Sequence, residues 1–220
     1  GTATGNGYAT GDVVNLAAGG NSVVLGGSPT GKQVTITVPA IAGSEVAVIA
    51  TVIKTLSTQK TKTLTNRVQT AAHAATFQLD RADIFRINSI TDMTSSADIT
   101  NRYTLDNGQR DNYYDRGRLI FNTNYPAPAG NIQVDYDYFT HGTGDYFSVD
   151  SYDGVIDYSD IQTYIASDGT FYDLINCFDF RPRVDDTGTG FSSTTEFVAN
   201  GEQIICDYEY YIGRIDKIIL

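Results

Sequence analysis

The sequence predicts a mainly β protein built as two β-sandwich-like modules with at most one or two short helices. Composition is the first observation: the 220 residues include 21 Gly, 15 Tyr and 10 Phe with one Met and no Trp, and the Leu, Met, Lys and Glu from which helices are built are sparse. The second is pattern, since short Thr/Val/Ile runs alternate apolar with polar residues between Gly- and Pro-marked turns. The third is an uneven distribution of charge and tyrosine. Residues 1–80 hold five basic against three acidic side chains, a net of +2, which leaves −13 of the total −11 for residues 81–220. All tyrosines except Tyr8 lie beyond residue 100. A compositional break of this kind marks a domain boundary, here near residues 70–80, giving a module over 1–74 and a Tyr/Asp-rich β domain over 75–220.

In the first module, Thr35-Ile36-Thr37-Val38, Val46 to Ile53 and Thr61 to Thr65 read as strands, because β-branched side chains suit a pleated, half-buried surface. Turn signals at Gly26-Gly27-Ser28-Pro29, Pro39 and Gly43 separate them. Gly26 to Gln33 is one residue short of a phosphate-binding loop: Gln33 stands where a hydroxyl would hold magnesium, and a strand follows where a helix is needed. It is read as a turn. Gln69 to Ala75 is open to a helical reading, with His73 as a structural residue among alanines.

In the second module, Leu79 to Ile90 opens with Phe85 and Ile87 in strand spacing. Ile132 to Phe139 and Ile204 to Tyr211 resemble each other, each placing apolar and aromatic residues at even positions and acids at odd ones, as period-2 geometry requires. Two strands of one type are expected. Tyr136, Tyr138, Tyr208 and Tyr210 form the aromatic rows, candidates for exposed stacking surfaces; burial of those rows would instead mark a scaffold. Tyr158 to Ile165 is the best short-helix candidate, with Ser159 as its N-cap.

Net charge argues against phosphate-rich partners, which are gripped by clustered Lys and Arg, so neither nucleic acid nor membrane is expected as a partner. The longest apolar run, Val46 to Ile53, is well short of the roughly 20 residues that span a bilayer. The start at Gly1 and the apolar end at Leu220 read as a segment of a longer polypeptide. Cys177 and Cys206 are expected as two thiols. The acids between Asp145 and Asp160, including Asp150, Asp153 and Asp157, lack the alternating order and terminal Glu of a calcium loop; they read as solvated carboxylates. His73 and His141 are the only imidazoles, and His141-Gly142-Thr143-Gly144-Asp145 reads as a turn. No spacing selects an acid pair or nucleophile, so no catalysis, metal or cofactor is expected.

Asp106-Asn107-Gly108 is a strong turn signal, and Gln109, Arg110, Asp111, Tyr113 and Tyr114 after it supply donors and acceptors that can tie a long loop to its neighbours. Arg181 and Arg183 flank Pro182, which ends a strand, and face Asp179 or Asp185 as pairing partners. Both segments are expected to anchor loops; contact with another subunit is the alternative, which Tyr and Arg suit equally.

These strings, together with Asp98-Ile99-Thr100, Asp145 to Tyr152 and Tyr210 to Asp216, resemble a family of virion structural proteins of contractile-tailed phages, especially cyanophages. The likeness covers roughly residues 79–220; residues 1–75 match less clearly. It implies a tail- or baseplate-associated component of the virion, assembled in the host cytoplasm, joined to other virion proteins in an oligomeric assembly and carrying no catalytic residues. The alternative is a receptor- or glycan-binding module of a tail fibre.

Overall fold

The computed structural model describes residues 13–17, 20–26, 33–39, 55–192 and 196–207. The chain divides into two units, Gly1–Val52 and Ile53–Leu220. In the first, β1 (Ser22–Gly26) and β2 (Gln33–Thr37) pair antiparallel, with Val23 opposite Ile36 and Val24 opposite Thr35. The expected strand from Val46 to Ile53 and the turn at 27–32 lie outside the described residues.

Eight strands follow among the described residues of the second unit: β3 (Lys62–Ala72), β4 (Thr76–Ala82), β5 (Ile84–Asp92), β6 (Tyr103–Asp106), β7 (Arg116–Phe121), β8 (Asn131–His141), β9 (Thr163–Ile165) and β10 (Phe171–Asp173). They form antiparallel sheets ordered β3-β8-β5, β4-β7-β6 and β10-β9. The protein is mainly β, and the helical segments among the described residues of this unit are 3-10 turns of three or four residues. β3 pairs with β8 along its whole length, from Lys62 opposite His141 to Ala72 opposite Asn131. That ladder ties Lys62–Ala72 to the second unit, so the division falls earlier than composition suggests, and it draws Gln69–Ala72 into a strand where alanines alone allowed a helix. Tyr158–Ile165 is also no helix. A 3-10 turn at Tyr158–Asp160, entered through Asp157 and not Ser159, gives way to β9, because Tyr164 goes inward against Leu174 and Phe139.

β8 is the central strand and decides where the cores lie. On one face Ile132, Val134, Tyr136 and Tyr138 meet Ile84 and Ile90 of β5, Phe77 and Leu79 of β4 and Leu119 of β7, so the two three-stranded sheets share one core. On the other face Phe139 packs with Tyr152, Ile161, Tyr164 and Leu174 from the long connections after β8. Each aliphatic or aromatic side chain taken fully out of water contributes about 1.5–3 kcal/mol. Tyr136 and Tyr138, expected as surface candidates, are 0% and 8% exposed: period 2 sorts them onto one face, and that face is the covered one. Tyr208 and Tyr210 lie outside the described residues, and Ile204–Asp207 form no strand.

Asp83 alone connects β4 to β5 and carries the chain from one sheet to the other. Its φ of 58° is left-handed, a conformation Asp adopts more readily than most non-glycine residues. Its carbonyl accepts from the Phe139 amide at 2.9 Å, and its side chain is turned into the protein, with the residue 1% exposed.

Candidate functional site

The two unusual strings, separated by more than sixty positions in the chain, come together. The Asp106–Asp115 loop leaves β6 and returns to β7 as a tight excursion: Gly108 donates to Asp106 Oδ1 at 3.1 Å, Gln109 to Asn107 Oδ1 at 3.1 Å, and Asp115 N to the Gly108 carbonyl at 2.7 Å. Gly108 has φ +86°, and a Cβ there would lie 2.0 Å from the Asp115 carbonyl oxygen. Only glycine meets both conditions. Arg110 holds both Asp106 oxygens, at 2.9 and 2.8 Å, and its amide donates to the Tyr113 carbonyl at 2.9 Å. Asn107 and Gln109 both donate to Gln162 Oε1, at 3.1 and 2.9 Å, while Gln162 Nε2 donates to the Phe85 carbonyl at 2.8 Å. Asp111 accepts from the Tyr164 hydroxyl and from Ser167. Those hydrogen bonds bring its carboxyl down to about 2 and, after burial, help push Tyr164 up to about 12.

The Asp179–Arg183 segment closes over this loop. Tyr114 N donates to the Pro182 carbonyl at 2.8 Å and Val184 N to the Tyr114 carbonyl at 3.0 Å, a short parallel bridge. Arg181 lies between the rings of Tyr114 and Tyr164, 4.4 and 4.3 Å from their centroids. It donates to both Asp179 oxygens at 2.9 and 2.8 Å, to Gln109 Oε1 at 3.2 Å and to the Arg110 carbonyl at 3.1 Å. The Tyr114 hydroxyl also donates to Asp179. Burial opposes the Asp179 carboxylate, but Arg181 and Tyr114 more than offset it and hold the group below the usual range. Arg183 pairs with Asp186 at 2.8 Å and not with Asp185, whose carboxylate accepts from Thr187 and Thr189 within its own turn.

Beside this knot lies a second cluster that the sequence reading did not single out. Lys62 Nζ is 2.7 Å from Asp83 Oδ2, with both side chains 1% exposed, and His141 Nε2 is 2.7 Å from the same oxygen. Four rings surround the amine, Tyr114, Phe139, Phe147 and Tyr152, with centroids at 4.7, 4.8, 4.8 and 4.9 Å. Burial works against the Lys62 ammonium, yet Asp83 outweighs it and the shift is upward. Asp83 is held far below its usual range, its burial overcome by Lys62 and His141. His141, whose ordinary value is 6.5, is brought down to about 4 by burial, partly opposed by Asp83, so it is neutral at pH 7 and its Nε2–H donates to the carboxylate. The signal was present: Lys62 and Leu64 alternate along one strand, with Lys60 in phase just before it, and a strand face carrying Leu is the inward one. Lys60 is also buried, its amine 5.0 Å from the Phe147 centroid, and burial lowers its pKa despite Asp179 and Asp145 nearby.

At the edge of the knot, an open cleft of about 590 Å³ is lined by Tyr164, Tyr172, Phe178 and Phe180 with Asp111, Asp168 and Cys177, and it reaches Asp179 and Arg181. Tyr172 and Phe178 are each 46% exposed. Cys177 and Cys206 are both free thiols. Asp150, Asp153, Asp157 and Asp160 are exposed, and among the described residues no three His, Cys, Asp or Glu side chains converge as a metal site requires. In comparisons with family models, curated proteins and solved structures, nothing matches the chain.

Proposed function

We propose that this chain is a structural, non-catalytic component of a phage tail or baseplate that scaffolds or joins other virion proteins. One observation supports it above the rest: two of the strings that carry the resemblance are spent internally, with Gln109, Tyr114, Asp179, Arg181 and Arg183 all buried where three loops meet. Buried polar networks of this kind rigidify a fold. Burial of Tyr136 and Tyr138 favours the scaffold reading by the same reasoning. Antibody raised against the chain is expected to decorate the tail or baseplate of purified particles of the source phage. Intact and disassembled particles that both remain unlabelled refute the assignment.

A second reading, a receptor- or glycan-binding module of a tail fibre, draws on the cleft, where Tyr172 and Phe178 offer half-exposed rings beside carboxylates, the pairing of apolar face and polar tip that sugar rings meet well. Glycan-array binding at micromolar strength, lost in Tyr172→Ala, ranks it above the scaffold reading; a blank array removes it.

A further inference from the structure

The geometry points to a self-formed covalent cross-link, an amide between Lys62 Nζ and Asp83 Cγ that joins β3 to the hinge between β4 and β5. Three independent features converge on it. The amine already touches the carboxylate at 2.7 Å, and since Oδ2 is one bond from Cγ, the nitrogen stands within about 4 Å of the carbon it would attack, close to a near-attack arrangement. The left-handed backbone at Asp83 goes with a side chain turned into the protein, the residue being 1% exposed. The four rings around the amine exclude water, the product whose abundance normally drives amides back to acid and amine.

The step balances without any added reactant. A proton crosses the existing hydrogen bond from Nζ to Oδ2, the freed lone pair forms the Nζ–Cγ bond, and the Cγ–Oδ2 bond breaks. Of the three ammonium protons, one remains on the amide nitrogen and two leave with Oδ2 as water. His141 Nε2–H, 2.7 Å from Oδ2, keeps its hydrogen bond to the oxygen that departs and so assists its loss as water. The ion pair is the resting state, with both charges held out of water. Condensation replaces both charges with one neutral amide in the same space. The event occurs once per molecule and involves no turnover, so it is compatible with a scaffold.

Intact-mass measurement of the folded 220-residue chain under denaturing conditions tests this directly. The expected mass is one water below the sequence mass, and a tryptic digest should contain Thr61–Arg67, uncleaved at Lys62, joined to Ala82–Arg86. Lys62→Arg and Asp83→Ala should each show the full sequence mass. A wild-type chain at full mass, with the two peptides recovered separately, overturns the proposal. So does a one-water deficit that maps elsewhere, for instance to a cyclised Asp153-Gly154. Should either variant fail to fold, the wild-type digest decides alone.

Discussion

Replacing Arg181 with methionine removes a guanidinium from between two tyrosine rings and leaves most of the side-chain volume in place. The loss falls on Asp179, which is 8% exposed and keeps only the Tyr114 hydroxyl and the local Arg181 amide as donors. Breaking a buried pair from one side costs about 3–5 kcal/mol, because the remaining charge is left uncompensated. The Gln109 and Arg110 acceptors lose their donor as well, while the thioether recovers part of the ring contact. A net loss of about 3–5 kcal/mol is expected, and for a unit of this size each kcal/mol lowers Tm by about 2–4 °C, so the midpoint should fall by about 6–20 °C. Urea unfolding followed by tyrosine near-UV CD measures it. If the loss comes from the orphaned carboxylate, Asp179→Asn in the Arg181→Met background recovers at least about 1.5 kcal/mol. A loss under about 1 kcal/mol, or one that Asp179→Asn leaves untouched, refutes the account of the knot.

Gly108→Ala should cost about 3 kcal/mol or more in the same assay, combining left-handed strain with a backbone overlap that must push the Asp115 carbonyl aside; a near-neutral result would mean the loop yields freely. Stability should fall as pH drops from about 6.5 to about 4, because His141 resists protonation when folded and accepts it when unfolded, which amounts to about 3 kcal/mol over that window. Thermal melts at pH 7 and pH 4 should therefore differ more for the wild type than for His141→Gln, and parallel curves would contradict it. In any chain whose Lys62–Asp83 pair is still ionic, Asp83, held low by Lys62 and His141 against its burial, adds a further loss below about pH 4. Tyr136→Phe removes a hydroxyl that donates to Asp80 and should cost about 1.5 kcal/mol, read as a shift in urea midpoint at constant slope.

Local chemistry made several parts of this protein legible from the residues alone. Period-2 alternation and β-branched composition determine a mainly β chain and place the row Ile132, Val134, Tyr136, Tyr138 on one face of a strand. Asp106-Asn107-Gly108 specifies its own turn, since the side-chain oxygens bond amides two residues on and glycine supplies the positive φ. The pairing of Arg181 with Asp179 follows from their short separation. Tertiary structure decided what alternation leaves open, namely which face is covered: Tyr136 and Tyr138 went inside because a second sheet closed over them. It also overrode the helical reading of Gln69 to Ala72, where eleven residues of β3 found a full-length partner in β8. Above all it assembled Lys62, Asp83 and His141, three residues from separate strands and a hinge. Nothing in their local sequence pairs them, because a contact across strands depends on register, and register is a property of the sheet.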